Sequence, residues 1–92
     1  MRLDLFLKAS RLVPRRTVAQ ELCAAGLVAV NGISAKPSRA VQVGDEISLR
    51  KGNHLVAVRV LAVPATRQTS RHDAAGLYQI LSDTTLSEDP RD

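Results

Sequence analysis

The sequence predicts an α+β fold: two short N-terminal helices packed on a small, mostly antiparallel sheet, all in one domain. Three observations carry this expectation. The apolar period is about 3.6 as far as Gly26 and close to 2 after it, the change expected where helices give way to strands. Asn31-Gly32, set between apolar runs, is the strongest short hairpin signal a chain can carry. Finally, 92 residues that are 45% apolar suffice for one small core and are too apolar for a wholly disordered chain. With one Phe, one Tyr and no Trp, that core has to be aliphatic.

Each element has its own local reason. Leu3, Phe6 and Leu7 fall at i, i+3, i+4, so residues 3–9 present one buried helical face. Pro14 disfavours helical geometry at Val13 and lacks an N–H, so the first helix stops before it. A second helix is predicted from about Arg15, with the stripe Val18, Ala19, Leu22, Cys23 and Ala25, and Gly26 beyond it as a left-handed cap. Strands follow at 27–30 and 33–35, then at 46–51 and 55–61, with turns at Gly44-Asp45 and Gly52-Asn53 and a stop at Pro64. Residues 65–71 read as a polar, basic link, and Ser70 as the cap of a short helix through Ala75. The pattern at Leu77–Leu81 fits helix and strand equally. The expected division is a body at 1–64, an extension at 65–82 packed on or beside it, and a disordered acidic tail at 83–92.

Charge narrows the function. Residues 1–71 hold 12 basic and 4 acidic side chains, whereas residues 72–92 hold 1 and 5, a body of +8 with a tail of −4. A basic body of this size points to a polyanion, most often nucleic acid. A barrel or nucleotide-binding enzyme needs on the order of 150 residues or more. Cys23, the only cysteine, lies on the apolar stripe of the second helix, where a thiol is inert, and His54 and His72 have no companion at ligand spacing. The expectation is therefore no catalysis, no metal and no cofactor. No apolar run is long enough to span a bilayer, Asp4 interrupts any leader-like start, and a single cysteine suits a reducing compartment, so the expected location is cytoplasmic.

The candidate binding residues cluster at the break between the helices. Lys8, Arg11, Arg15 and Arg16 are four cations in nine positions, and Arg15 and Arg16 fall in the first turn of the second helix. Cations there oppose the helix dipole at roughly 0.3–1 kcal/mol each. A phosphate resolves the conflict by meeting the free N–H groups and both guanidinium groups. Arg2 carries the same unfavourable sign at the first helix, and Lys36 and Arg39, after the hairpin, extend the patch. Arg50, Lys51 and Arg59 alternate with apolar residues and read as ordinary solvent-facing sheet positions. With so few aromatics to stack bases, recognition is expected to rest on phosphates and shape, as for structured RNA.

Arg2-Leu3-Asp4, Phe6-Leu7-Lys8, Ser10-Arg11-Leu12, Arg15-Arg16-Thr17, Ala19, Gly26, Val28, Val30-Asn31-Gly32 and Val43-Gly44-Asp45-Glu46-Ile47 together resemble the S4-like RNA-binding domain. The resemblance covers about residues 1–62. The stand-alone size and the Arg15-Arg16-Thr17 wording look most like the RqcP family, bacterial relatives of the ribosome-associated heat-shock protein. It implies a non-enzymatic protein that binds large-subunit rRNA and peptidyl-tRNA on large ribosomal subunits split from stalled ribosomes; a monomer is expected. There it would assist RqcH, the alanine-tailing factor. The family's RNA-binding residues map onto Arg2 and Arg16, and onto Lys8, Arg11 and Arg15, with Asp4 orienting a neighbouring arginine. Pro14 and Arg15 depart from the polar residue and Ser cap common in S4-like domains, and the acidic end departs from the basic extension of the heat-shock relative. Two other readings stay open: a module guiding an RNA-modifying enzyme in trans, and a protein-interaction module.

Overall fold

The structure is a computed structural model that describes residues 1–64 and 71–85. Helix α1 spans Leu3–Ala9 and α2 spans Arg16–Ala24. Strands β1 (Val28–Val30), β2 (Ile33–Ser34), β3 (Glu46–Lys51) and β4 (His54–Val60) follow, then helix α3 (Arg71–Ala75) and strand β5 (Tyr78–Thr85). The strands form one sheet in the order β2-β1-β3-β4-β5, and every pairing is antiparallel.

The sheet buries one face, as alternation demands. Val28 and Val30, Ile47 and Leu49, and Val58 and Val60 point inward and meet Leu3, Phe6 and Leu7 of α1 and Ala19 and Cys23 of α2. Phe6 is fully buried, so the one phenyl ring fills the core. Val18 and Leu22 pack at its edge, whereas Ala25 is the exposed C-cap residue of α2 and does not extend the stripe. Among the described residues no helix is long and apolar enough to cross a membrane.

Turns occur where the sequence places them. Asn31 and Gly32 both take positive φ, 52° and 83°, and join β1 to β2. The Asn31 side chain does a second job: its Oδ1 accepts from the Glu46 amide at 2.9 Å and its Nδ2 donates to Asp45 at 3.2 Å, fastening the hairpin to β3. Asp45 in turn accepts from the Gln42 amide at 2.9 Å, the local turn bond expected of it.

Three expectations shift. Residues 77–81, which the pattern left open, lie on the last turn after α3 and in β5. Leu77 accepts the amides of Leu61 and Ala62, and pairing with β4 then decides the state. The acidic tail expected from residue 83 does not begin there, because β5 runs to Thr85: Asp83 pairs opposite Val56 and lies 3.2 Å from the His54 ring, and two β-branched threonines follow. Leu27 lies outside β1 and is part-exposed. The Ser70 cap, the 65–70 link and residues 86–92 lie outside the described residues.

The hairpin yields a ranked prediction. A Cβ on Gly32 meets nothing within 4 Å, so Gly32→Ala loses only the left-handed preference, about 1 kcal/mol. Asn31→Ala also loses two hydrogen bonds and should cost about 2 kcal/mol in urea unfolding. The reverse ranking would refute the role given to the side chain.

Candidate nucleic-acid interface

The site is built outward from one acid. Asp4 sits in the first turn of α1 with no solvent exposure, an aspartate at the core edge. Its Oδ1 accepts from the Leu5 amide at 2.8 Å, and its Oδ2 accepts from Gln20 Nε2 and from Arg16 Nε, each at 3.0 Å. Arg2 reaches both carboxylate oxygens, through Nε and Nη2, each at 3.3 Å. Arg16 and Gln20 are i, i+4 neighbours on α2, so one helical face aims both at the same carboxylate. Asp4 thereby ties the two helices and orients two arginines rather than one.

Both guanidinium groups stay accessible. The Arg2 side chain is 46% exposed and that of Arg16 38%. Arg16 engages Asp4 through Nε, and no hydrogen bond among the described residues holds its Nη groups. The conflict read from the sequence is therefore partly corrected: Arg16, in the first turn of α2, has its compensation in Asp4, twelve residues earlier. Arg15 has none of that kind. It is the exposed N-cap residue of α2, makes no side-chain cap bond, and begins a first turn that holds no acid.

Burial pushes the Asp4 carboxyl up, but the hydrogen bonds from Gln20, Arg16 and the Leu5 amide, with the Arg16 charge, outweigh it and hold the group below the usual aspartate range. Cys23 shifts the other way: burial raises the thiol, and the nearby Asp4 charge raises it further, as fits an inert core cysteine.

Lys36 and Arg39 arrive by a route not visible in the sequence. The Pro37 carbonyl accepts from the Asp4 amide at 3.1 Å and the Arg39 carbonyl from the Leu3 amide at 2.8 Å, so this loop caps the start of α1. Ala40 also bridges to Arg2. Two exposed cations thus stand beside the Arg2–Asp4–Arg16 group. Lys8 and Arg11 sit at the far end of α1, about 9 Å along its axis from Leu3. Lys8 lies in the last turn, where the dipole favours it, and exposed Arg11 takes a left-handed φ of 61° just beyond.

The sheet cations divide. Arg59 pairs with Glu46 at 2.8 Å and Arg50 donates to the Gly52 carbonyl at 3.2 Å, as solvent-facing positions do. Lys51 does not: its Nζ reaches the Leu12 carbonyl at 3.1 Å, which brings a fifth cation to the elbow between the helices. Thirty-nine residues separate the partners, so no local pattern announces the contact.

Known proteins resemble this chain in sequence and in fold. The S4 domain family model matches residues 1–47. The chain belongs to the S4 domain family. It is 47% identical to the RQC P-site tRNA stabilizing factor of Streptococcus pneumoniae, over 96% of this chain and 98% of that one. Identity to the protein of the same name from Bacillus subtilis is 46%, over 96% and 100%. Among solved structures, the trimeric heat shock protein 15 of Vibrio cholerae superposes with a TM-score of 0.81 at 32% identity, over 89% of this chain and 82% of that one.

The Asp4 cluster sets a pH dependence. Its carboxyl is depressed in the folded state, so the stabilisation is present at neutral pH and is lost as pH falls below about 4, through the lowered folded value. Asp4→Asn should lose about 1–3 kcal/mol at pH 7, the worth of hydrogen bonds to a charged group, and should flatten unfolding free energy against pH in that acid window. An unchanged acid limb in the variant would remove Asp4 from this role.

Proposed function

We propose that this S4 domain protein is a non-catalytic RNA binder of bacterial ribosome-associated quality control. In this reading it acts in the cytoplasm as a single copy and holds peptidyl-tRNA on a large ribosomal subunit split from a stalled ribosome. It contacts large-subunit rRNA as well as the tRNA, and so assists RqcH in alanine tailing of the nascent chain. Residues 1–64 are the RNA-binding body, with the C-terminal segment an accessory to it.

The observation that carries the proposal is the Asp4-held pair of Arg2 and Arg16, accessible at the helix junction and continued by Arg15, Arg11 and Lys8 on one side and by Lys36 and Arg39 on the other. Two oriented guanidinium groups within a row of cations suit phosphates along a folded RNA, because each fork can donate to two phosphate oxygens at once. Near full-length similarity to the two tRNA stabilizing factors supports the choice of tRNA and of quality control over other RNA tasks.

Arg15→Glu is the clean test. Arg15 is exposed and lies outside the Asp4 cluster, whereas Glu at position 16 would set a second carboxylate against a buried one. Arg15→Glu should release the protein from large-subunit fractions in a gradient without lowering the unfolding midpoint, since a carboxylate at the start of α2 suits the helix dipole. If about four phosphates are contacted, wild-type affinity should fall with salt at a log–log slope of about −3 to −4, and the variant's slope should be shallower by about one. Co-sedimentation that survives Arg15→Glu, or an RNase-resistant association without salt dependence, would replace RNA by a protein partner.

A further inference from the structure

At the elbow the inner face of the sheet runs out from under the helices. Leu49 and Val56 are paired across β3 and β4, and Lys51 and His54 are the next pair on the same face. With Leu12 of the interhelical turn they line a groove of about 270 Å³. Leu12, Leu49 and Val56 make its floor apolar. Its rim is the Lys51 ammonium, already drawn to the Leu12 carbonyl, and the His54 ring, 56% exposed and steadied by Asp83 at 3.2 Å. The volume falls just below the roughly 300–1,000 Å³ of drug-sized sites, which suits a single ring system.

We propose that this groove seats one unpaired nucleotide of the bound RNA. The base lies on Leu12 and Val56, above the buried Leu49, with its face against the His54 imidazole, and its phosphate meets the Lys51 Nζ. The inference rests on the RNA-binding reading and deepens it by adding a base contact to a phosphate contact. Charge argues for this occupant: Lys51 joins Arg11 and Arg15, one and three residues from the carbonyl it holds, so a chain crossing the elbow along its phosphates passes the mouth of the groove. Chemistry argues for it too. The sequence shows one Phe and one Tyr, and Phe6 is sealed in the core, yet an imidazole also stacks on unstacked RNA bases. His54 is an exposed ring of that kind, placed between a cation and an apolar floor.

The test uses the full chain and two RNA hairpins, one with a single bulged 2-aminopurine in its stem and one fully paired. Wild type should bind the bulged RNA about fivefold to tenfold more tightly, the low end of one stacked base, with a change in 2-aminopurine fluorescence. His54→Ala should abolish both the preference and the fluorescence change while keeping the affinity for the paired hairpin. Since His54 is exposed, folding should be unaffected, and an unchanged unfolding midpoint checks this. Arg15→Glu should weaken both RNAs together. A wild type that binds both hairpins equally, or a His54→Ala variant that still discriminates, overturns the groove and leaves the RNA reading standing. A wild type that binds neither hairpin, with His54 ring resonances shifting instead on addition of an apolar peptide, overturns both.

Discussion

A carboxylate without solvent has to be satisfied by the fold, and here the fold satisfies Asp4 from three directions. Its own helix supplies the Leu5 amide, α2 supplies Arg16 and Gln20, and the chain before α1 supplies Arg2. The loop at 37–39 closes over the same turn through two backbone bonds. Removing a partner from a buried charge commonly costs more than the pair contributes, so these segments are constrained to meet there. The arrangement that packs the helices is therefore also the arrangement that displays the arginines.

Around that anchor the chain breaks local preferences. Arg15 caps α2 where Ser, Thr, Asp or Asn is favoured, and no acid follows in the first turn. Arg11 adopts a left-handed φ that a glycine would take at no cost. Lys51 sets its ammonium beside the residue next to Arg11. The first two choices are unfavourable by a fraction of a kcal/mol to about 1 kcal/mol, and all three add positive charge to the same corner. Local costs that fall in one direction and at one place are the pattern expected of a binding site, in keeping with the proposed function.

The parts of this design legible in the sequence are those that depend on neighbours along the chain. The helices show in the Leu3–Phe6–Leu7 spacing and the stop at Pro14, and the hairpin shows in Asn31-Gly32, where two successive residues have to accept positive φ. The cations at the elbow show by their density. What sequence reasoning misses depends on partners that distance hides. Gln20 gives no sign of its bond to Asp4 beyond its i, i+4 relation to Arg16, a signal that would have sufficed had Asp4 been known to be buried. Lys51 reads as a strand-face cation until the β3–β4 hairpin is set against the α1–α2 turn. Strand β5 is ambiguous because its side chains are almost all exposed, so alternation has no buried face to report. Its state comes from the ladder with β4, which no single segment encodes.

Asp4 poses a last question: why a surface proposed to meet polyanions keeps a negative charge beneath its arginines. Two effects oppose each other. The carboxylate subtracts from the field felt by a phosphate, a term of about 1 kcal/mol at 4 Å in water and several times that at a drier surface. It also fixes two side chains that otherwise carry about 2 kcal/mol of rotamer entropy each, part of which a free arginine loses on docking. At low salt these are comparable and the carboxylate brings little. Added salt screens the exposed Coulomb term, with a Debye length of about 8 Å at physiological ionic strength, but leaves the ordering term untouched. Held arginines therefore gain on free ones as salt rises, and the geometry around Asp4 favours a defined phosphate position over indiscriminate attraction to negative charge.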